Sequence, residues 1–329
     1  MIALAIIAVV AGLAILAWSA DRFVDGAASL ALHLGWSPML IGILIVGFGT
    51  SAPELVVSAI SAWTGNPGIA VGNAIGSNIA NIGLILGAAA AMTPLVVASG
   101  LIRKELPLLF LVTAVMVAFL WDGALDFWLA VIMLVLFLAV MGYLVRSSLS
   151  PSAKDDPISK EMESEVKPER RPLWVSIGWV VGGLLLLIGS SRLLVWGGVE
   201  LATMIGISEL VIGLSVVAIG TSLPELASAI AAARKKEHDL ILGNIVGSNL
   251  FNSLAVVGLA GVVAPISVSV SEVQRDLLAM VLFTVALFVI SWSWRREKRI
   301  ERWEGILLLI GFVVYLGVLV LMSTGAAFA

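Results

Sequence analysis

Residues 49–54 read GTSAPE, and residues 220–225 read GTSLPE. The spacing of 171 residues continues without a gap, because residues 72–81 (GNAIGSNIAN) align with residues 243–252 (GNIVGSNLFN). The identities fall on polar, proline and glycine positions, so shared hydrophobicity does not explain them. The chain is therefore expected to contain two copies of one structural unit.

The composition places these copies in a lipid bilayer. Of 329 residues, 60% are apolar and only 12% are charged, whereas soluble domains carry about 25% charged residues. So little charge cannot cover a surface that faces water, which argues against soluble, disordered and nucleic-acid-binding proteins. The absence of cysteine excludes thiol nucleophiles and thiolate metal sites.

The apolar runs predict an all-α polytopic membrane protein with ten spans. They are long and continuous, whereas barrel strands would be short and alternating. The predicted spans are residues 2–20, 38–62, 68–92, 106–121, 127–145, 173–191, 208–233, 240–263, 277–294 and 305–323.

The basic residues predict the orientation of these spans. With ten spans, 17 of the 19 Lys and Arg residues fall on connectors of one side, and only Arg192 and Arg275 fall on the other. The positive-inside rule then places both termini outside the cell (inner) membrane. Residues 146–172 form a polar cytoplasmic linker between a first five-helix repeat, 1–145, and a second one, 173–329.

An odd number of spans in each repeat predicts that the second copy is inverted. The connector 63–68 (WTGNPG) carries no charge, while its counterpart 234–239 (RKKEHD) carries three Lys or Arg residues. Corresponding connectors thus face opposite sides. Inverted repeats are typical of secondary transporters, which bind their substrate near the membrane midplane where the repeats meet.

Two carboxylates lie well inside the predicted spans, away from their ends: Glu54 and Glu225. An ionisable group inside the membrane is costly and is treated as functional by default. A proline precedes each glutamate, and it removes a backbone donor and breaks or kinks the helix. The residues expected to support the two breaks are Pro53, Pro224, Gly49 and Gly220.

Hydroxyl and amide side chains are expected to complete an oxygen-lined site around the carboxylates. The three- and four-residue spacings predict that they share helix faces with the glutamates or form stripes on the next helix. They are Thr50, Thr221, Ser51, Ser222, Ser77, Ser248, Asn81 and Asn252, with Asn73 and Asn244 on the same stripes. Asn78 and Asn249 could cap, pack between the repeats or reach the site. An all-oxygen set suits Ca²⁺, and Na⁺ accepts the same donors.

These paired motifs resemble the two α-repeats of the calcium/cation antiporter superfamily, particularly its prokaryotic sodium/calcium exchanger branch. The resemblance implies that Glu54 and Glu225, aided by Thr50 and Thr221, bind Ca²⁺. By the same resemblance, the serines and asparagines Ser51, Ser77, Ser222, Ser248, Asn81 and Asn252 build flanking Na⁺ sites. The family exchanges Na⁺ moving inward for Ca²⁺ moving outward by alternating access.

The chain departs from part of that family at position 252. Asparagine stands there, whereas potassium-dependent relatives have aspartate, which argues against K⁺ transport. Exchange of H⁺ for Ca²⁺ and K⁺-dependent exchange remain alternatives, and a passive cation channel is a remote one. No enzymatic activity, cofactor or protein partner is expected; the bilayer and the transported cations are the expected partners.

Overall fold

A computed structural model describes residues 2–97, 101–148, 171–204, 220, 222–292 and 299–325. The helices of the first half are α1 (Ile2–Leu34), α2 (Pro38–Thr50), α3 (Ala52–Trp63), α4 (Pro67–Met92), α5 (Leu106–Leu120) and α6 (Phe127–Ser148). Those of the second half are α7 (Leu173–Met204), α8 (Leu223–Arg234), α9 (His238–Val263), α10 (Val270–Ser291) and α11 (Arg302–Gly325). The fold is therefore helical, as predicted.

Seven described helices are long and apolar enough to cross a membrane, and the bent pair α2 and α3 would make an eighth. The helix α5 has only 15 residues and is about 22 Å long, although a π-helical turn, Leu101–Glu105, precedes it. Of the predicted span 208–233, positions 208–219 and 221 lie outside the described residues. Positions 149–170 of the predicted linker also lie outside them. The count of ten spans thus remains a prediction.

The first and sixth predicted spans are too short. Helix α1 continues past the predicted end at residue 20 to Leu34, and α7 continues past residue 191 to Met204. These two helices pack against each other, and glycines allow the close approach. A Cβ atom at Gly26 would lie 2.7 Å from the Cβ of Trp179, and one at Gly183 would lie 2.9 Å from that of Phe23. Small residues are the usual means of close packing in membranes.

Helices α4 and α9 form the centre of the protein. In each helix's most apolar stretch, 72% and 89% of the residues respectively are buried, against 17 to 28% in the other spanning helices. The outer helices expose large apolar side chains, as lipid contact requires, while the central pair buries serines and asparagines. Polar side chains are thus concentrated in the interior, where they can line a site.

Two short antiparallel ladders join connectors of the two halves. Strand β1 (Leu95–Val96) pairs with β4 (Arg299–Ile300), and β2 (Ala124–Leu125) pairs with β3 (Ile266–Ser267). The sequence analysis predicted no strands. Two-residue strands carry no period that could be recognised, and each exists because a connector of the other half lies beside it.

Candidate cation site at the meeting of the two halves

The helical structure is interrupted two residues before the Pro-Glu pair of each copy. Helix α2 ends at Thr50, α3 begins at Ala52, and their axes differ by 42°. The residue between them, Ser51, has φ −84° and ψ 3°, and its counterpart Ser222 before α8 has φ −90° and ψ 6°. The prolines that follow stand in the first turn of α3 and α8, where the missing N–H costs no hydrogen bond within the helix that begins there.

The breaks place both glutamates at helix N-termini. Glu54 lies in the first turn of α3 and Glu225 in the first turn of α8. Both are buried, with 1% and 2% of their surface exposed. The positive end of each helix dipole favours a negative charge at this position.

Three of the four carboxylate oxygens are buried without a hydrogen-bond partner among the described residues. They are both oxygens of Glu54 and Oε2 of Glu225. The fourth, Oε1 of Glu225, accepts a hydrogen bond from Ser51 Oγ at 3.4 Å. An ionised carboxylate without partners in a poorly polar interior is expensive. A bound cation would remove that cost.

The breaks change the expected placement of the neighbouring hydroxyls. Thr50 and Ser51 were expected to share a helix face with Glu54, but helical spacing does not apply across the break at Ser51. Ser51 instead reaches the glutamate of the other half. Thr50 Oγ1 donates to Val46 O at 2.9 Å and lies 3.3 Å from Asn244 Oδ1. The hydroxyls therefore link the two halves.

On α9, the predicted polar stripe faces the first half of the chain. Ser248 Oγ lies 3.3 Å from Asn244 Oδ1, one turn earlier, and 3.4 Å from the carbonyl oxygen of Gly47. Asn252, one turn later, is 1% exposed, and neither of its side-chain polar atoms has a partner in the described structure. The amide of Asn252 is thus available to a ligand.

The central helices α4 and α9 are connected by amides. Asn81 Nδ2 donates to Asn249 Oδ1 at 2.9 Å, and Asn78 Nδ2 donates to Ser253 Oγ at 2.9 Å. Asn78 and Asn249 therefore pack between the halves, one of the roles left open for them. Ser253 was not among the predicted site residues. Its counterpart in the first half is Ile82, and the repeat draws attention only to residues that the two copies share.

The remaining predicted residues have different positions. Ser77 is buried on α4. Asn73 is only partly buried; its Nδ2 donates to the backbone oxygen of Glu54 at 3.1 Å and to Ser58 Oγ at 3.0 Å. Ser222 is buried within the second break, and Thr221 lies outside the described residues.

Two features bring backbone close to the site. A Cβ atom at Gly247 of α9 would lie 2.6 Å from Ile43 Cα, so α2 and α9 touch backbone to backbone. A π-helical turn begins at Asn81 in α4, and another begins at Asn252 in α9, at matched positions of the two copies. Single π-turns within α-helices are frequent at functional sites.

Comparison with known proteins identifies the family. The family model described as sodium/calcium exchanger protein matches residues 4–146 and 175–321. A relative from Alkalimonas amylolytica, named antiporter CaxA, is 47% identical over 94% of this chain and 97% of its own. Inner membrane protein YrbG of Escherichia coli is 39% identical over 95% and 96%.

A solved structure shows the same fold. The sodium-calcium exchanger NCX_Mj, soaked with Na⁺ and Sr²⁺, superimposes with a TM-score of 0.83 at 29% sequence identity, over 96% of this chain and 99% of that one. The ranges matched by the family model include Glu54 and Glu225. This chain belongs to the sodium/calcium exchanger protein family.

Proposed function

We propose that this protein is a secondary active antiporter that exchanges Na⁺ moving inward for Ca²⁺ moving outward. The observation that carries the proposal is the pair of buried glutamates with three unpartnered oxygens, at the point where the two halves meet. The name of NCX_Mj and the family model support the same ion pair.

The donor set suits these cations. Glu54 and Glu225 would bind Ca²⁺ with the hydroxyls of Thr50 and Thr221, since two carboxylates balance its two charges. Flanking Na⁺ sites would use Ser51, Ser77, Ser222, Ser248, Asn81 and Asn252. Among the described residues, no three His, Cys, Asp or Glu side chains are placed so that they could hold one metal ion. Hydroxyl, amide and backbone oxygens would therefore complete the coordination.

Shared carboxylates would couple the two ion flows. Moving two positive charges against 100 mV costs about 4.6 kcal/mol before any concentration difference. Inward movement of Na⁺ can offset this cost only if Na⁺ and Ca²⁺ cannot occupy the shared carboxylates at the same time. A single pair of buried carboxylates provides this exclusion, because it cannot neutralise both cation types at once.

Ten spans in two inverted five-helix repeats, with alternating access to the site, form the proposed architecture. An inequality between the halves supports alternation. Helix α1 packs against α8, whereas α7 makes no comparable packing on α3 among the described residues. At matched positions, Ile60 of α3 is 58% exposed and Ala231 of α8 is 3% exposed. One side of the site is thus covered more than the other.

The proposed orientation follows the basic residues. Both termini lie outside the inner membrane, the linker 146–172 lies in the cytoplasm, and residues 1–145 and 173–329 form the two repeats. The covered end of α8, which leads to Lys235 and Lys236, then faces the cytoplasm. In this conformation the site would open to the outside.

Flux into proteoliposomes tests the function. Vesicles loaded with Na⁺ and diluted into Na⁺-free buffer should take up radiolabelled Ca²⁺, and the substitutions Glu54→Gln and Glu225→Gln should each abolish uptake. Glu105→Gln is the matched control, since Glu105 also has an unpartnered buried oxygen but lies at the start of α5. Normal Na⁺-dependent uptake by either site variant would refute the proposal.

The same vesicles separate the alternatives. Uptake driven by a pH gradient without Na⁺ would indicate exchange of H⁺ for Ca²⁺, and a requirement for K⁺ would indicate K⁺-dependent exchange. Ca²⁺ entry without any counter-ion would indicate a channel. The uncharged Asn252 leads us to expect no dependence on K⁺.

A further inference from the structure

The second break contains a backbone carbonyl that its own helix cannot satisfy. Pro224 has no N–H, so the carbonyl of Gly220, four residues earlier, lacks its usual helical donor. The hydroxyl of Ser191, on α7, donates to this carbonyl at 2.7 Å, and Ser191 is 4% exposed. A side chain from another helix thus takes the place of the missing backbone donor.

A second contact from α7 lies one turn further on. A Cβ atom built on Gly220 would overlap the side chain of Val195. The peptide at Gly220 is therefore held by α7 at two points, a hydrogen bond from Ser191 and a packing contact from Val195. Both contacts fix the backbone two residues before Ser222 and five before Glu225.

The first break is held differently. The counterpart of Ser191 is Ala20 of α1, which has no hydroxyl. Gly49, the counterpart of Gly220, faces α7 rather than α1, and a Cβ atom there would lie 2.9 Å from Leu184 Cδ2. Helix α7 thus touches both breaks, but among the described residues only the second receives a side-chain hydrogen bond in this way.

We infer that Ser191 is a positioning residue of the cation site, which orients the second break and through it the oxygens of Ser222 and Glu225. The inference rests on the proposed function. Ser191 acts through the peptide of Gly220 and does not touch the ion. Its loss would leave a buried carbonyl without a donor, and the break would relax away from the geometry that binds the cation.

Three variants test this role, with Ca²⁺ uptake measured over a range of Ca²⁺ concentrations. Ser191→Ala should raise the half-saturating Ca²⁺ concentration about two- to tenfold, the equivalent of one hydrogen bond, with a smaller change in maximum rate. Ser191→Thr, which keeps the hydroxyl, should restore the wild-type value. Ser190→Ala is the control, because in the described part of the chain the Ser190 hydroxyl bonds only carbonyls of its own helix, at 2.6 and 3.2 Å.

Thermal unfolding in detergent with rising Ca²⁺ repeats the comparison without transport. The Ca²⁺ concentration that gives half the thermal shift should rise for Ser191→Ala and not for Ser190→Ala. Equal values for Ser191→Ala and wild type, or equal losses in both alanine variants, would overturn the inference. If wild-type vesicles show no Na⁺-driven uptake, the proposed function fails, while the thermal comparison still decides the role of Ser191.

Discussion

Replacing Glu54 by glutamine should have opposite effects on the empty and the Ca²⁺-bound protein. Glu54 is 1% exposed, and neither carboxylate oxygen has a partner among the described residues. Glutamine keeps the shape of the side chain and one oxygen but removes the charge. The substitution therefore separates the charge of Glu54 from its packing.

The magnitudes follow from the burial of the carboxylate. Removing one partner of a buried charge pair costs about 3–5 kcal/mol, so Ca²⁺ affinity should fall about 150- to 5,000-fold. Without cations, Glu54→Gln removes a buried charge that has no partner but leaves an unpartnered amide, so the net gain should be on the order of 1–3 kcal/mol. The empty variant should unfold at a higher temperature than the empty wild type.

Thermal unfolding in detergent measures both effects. In EGTA, Glu54→Gln should melt above the wild type. As Ca²⁺ is added, the wild type should gain stability, by about 2.7 kcal/mol at one hundred times its dissociation constant. The variant should gain less than about 0.5 kcal/mol over the same range, and Glu105→Gln should keep the full gain.

Two results would refute this reasoning. A Ca²⁺-dependent gain in Glu54→Gln equal to that of the wild type would show that the Glu54 charge does not bind the cation. A melting temperature in EGTA well below the wild type would show that Glu54 stabilises the protein through contacts of its charge.

Three further predictions concern packing, the cytoplasmic end of α8 and pH. Gly247→Ala should lower stability by about 1–3 kcal/mol, because the new Cβ would lie 2.6 Å from Ile43 Cα; Gly142→Ala, which meets no described atom within 4 Å, should leave the melting temperature nearly unchanged. Lys235→Met removes a 2.7 Å ion pair with Asp25, so a cysteine introduced at the buried Ala233 should react faster with a membrane-impermeant maleimide, and an unchanged rate would contradict this. Burial and the nearby Asp239 raise the pKa of Glu237 to about 7; stability should therefore fall as pH rises from 4.5 to 7, and Glu237→Gln should flatten this part of the melting curve measured against pH.

The main site residues could be predicted from the sequence because the membrane makes polarity conspicuous. Glu54 and Glu225 stand out within apolar spans, and their repetition with Pro53 and Pro224 indicates two equivalent breaks. The spacing of Asn244 and Ser248 also places them one turn apart, as the structure has them. Such predictions use only the local rules of a continuous helix.

Contacts between the halves could not be predicted in the same way. The break at Ser51 ends the helical period, so its direction toward Glu225 depends on how two distant segments pack. The hydrogen bond from Ser191 to Gly220 is equally distant, and repeat comparison cannot detect it because the first half has Ala20. Helix α1 extends past its predicted end, and there its Asp25 forms ion pairs with Lys235 and Arg171, which are distant in sequence.

Matched residues in the two halves have different partners, and this difference bears on transport. Asn73 donates to the backbone oxygen of Glu54, whereas its counterpart Asn244 lies beside the Thr50 hydroxyl of the other half. Each asparagine could also form the contact that the other makes. Glu225 has a backbone oxygen equivalent to that of Glu54, and Thr221 has a hydroxyl equivalent to that of Thr50. The two asparagines therefore occupy two environments that either could adopt. An exchange of these environments would cost few hydrogen bonds, which is the energetic condition that the proposed alternating access requires.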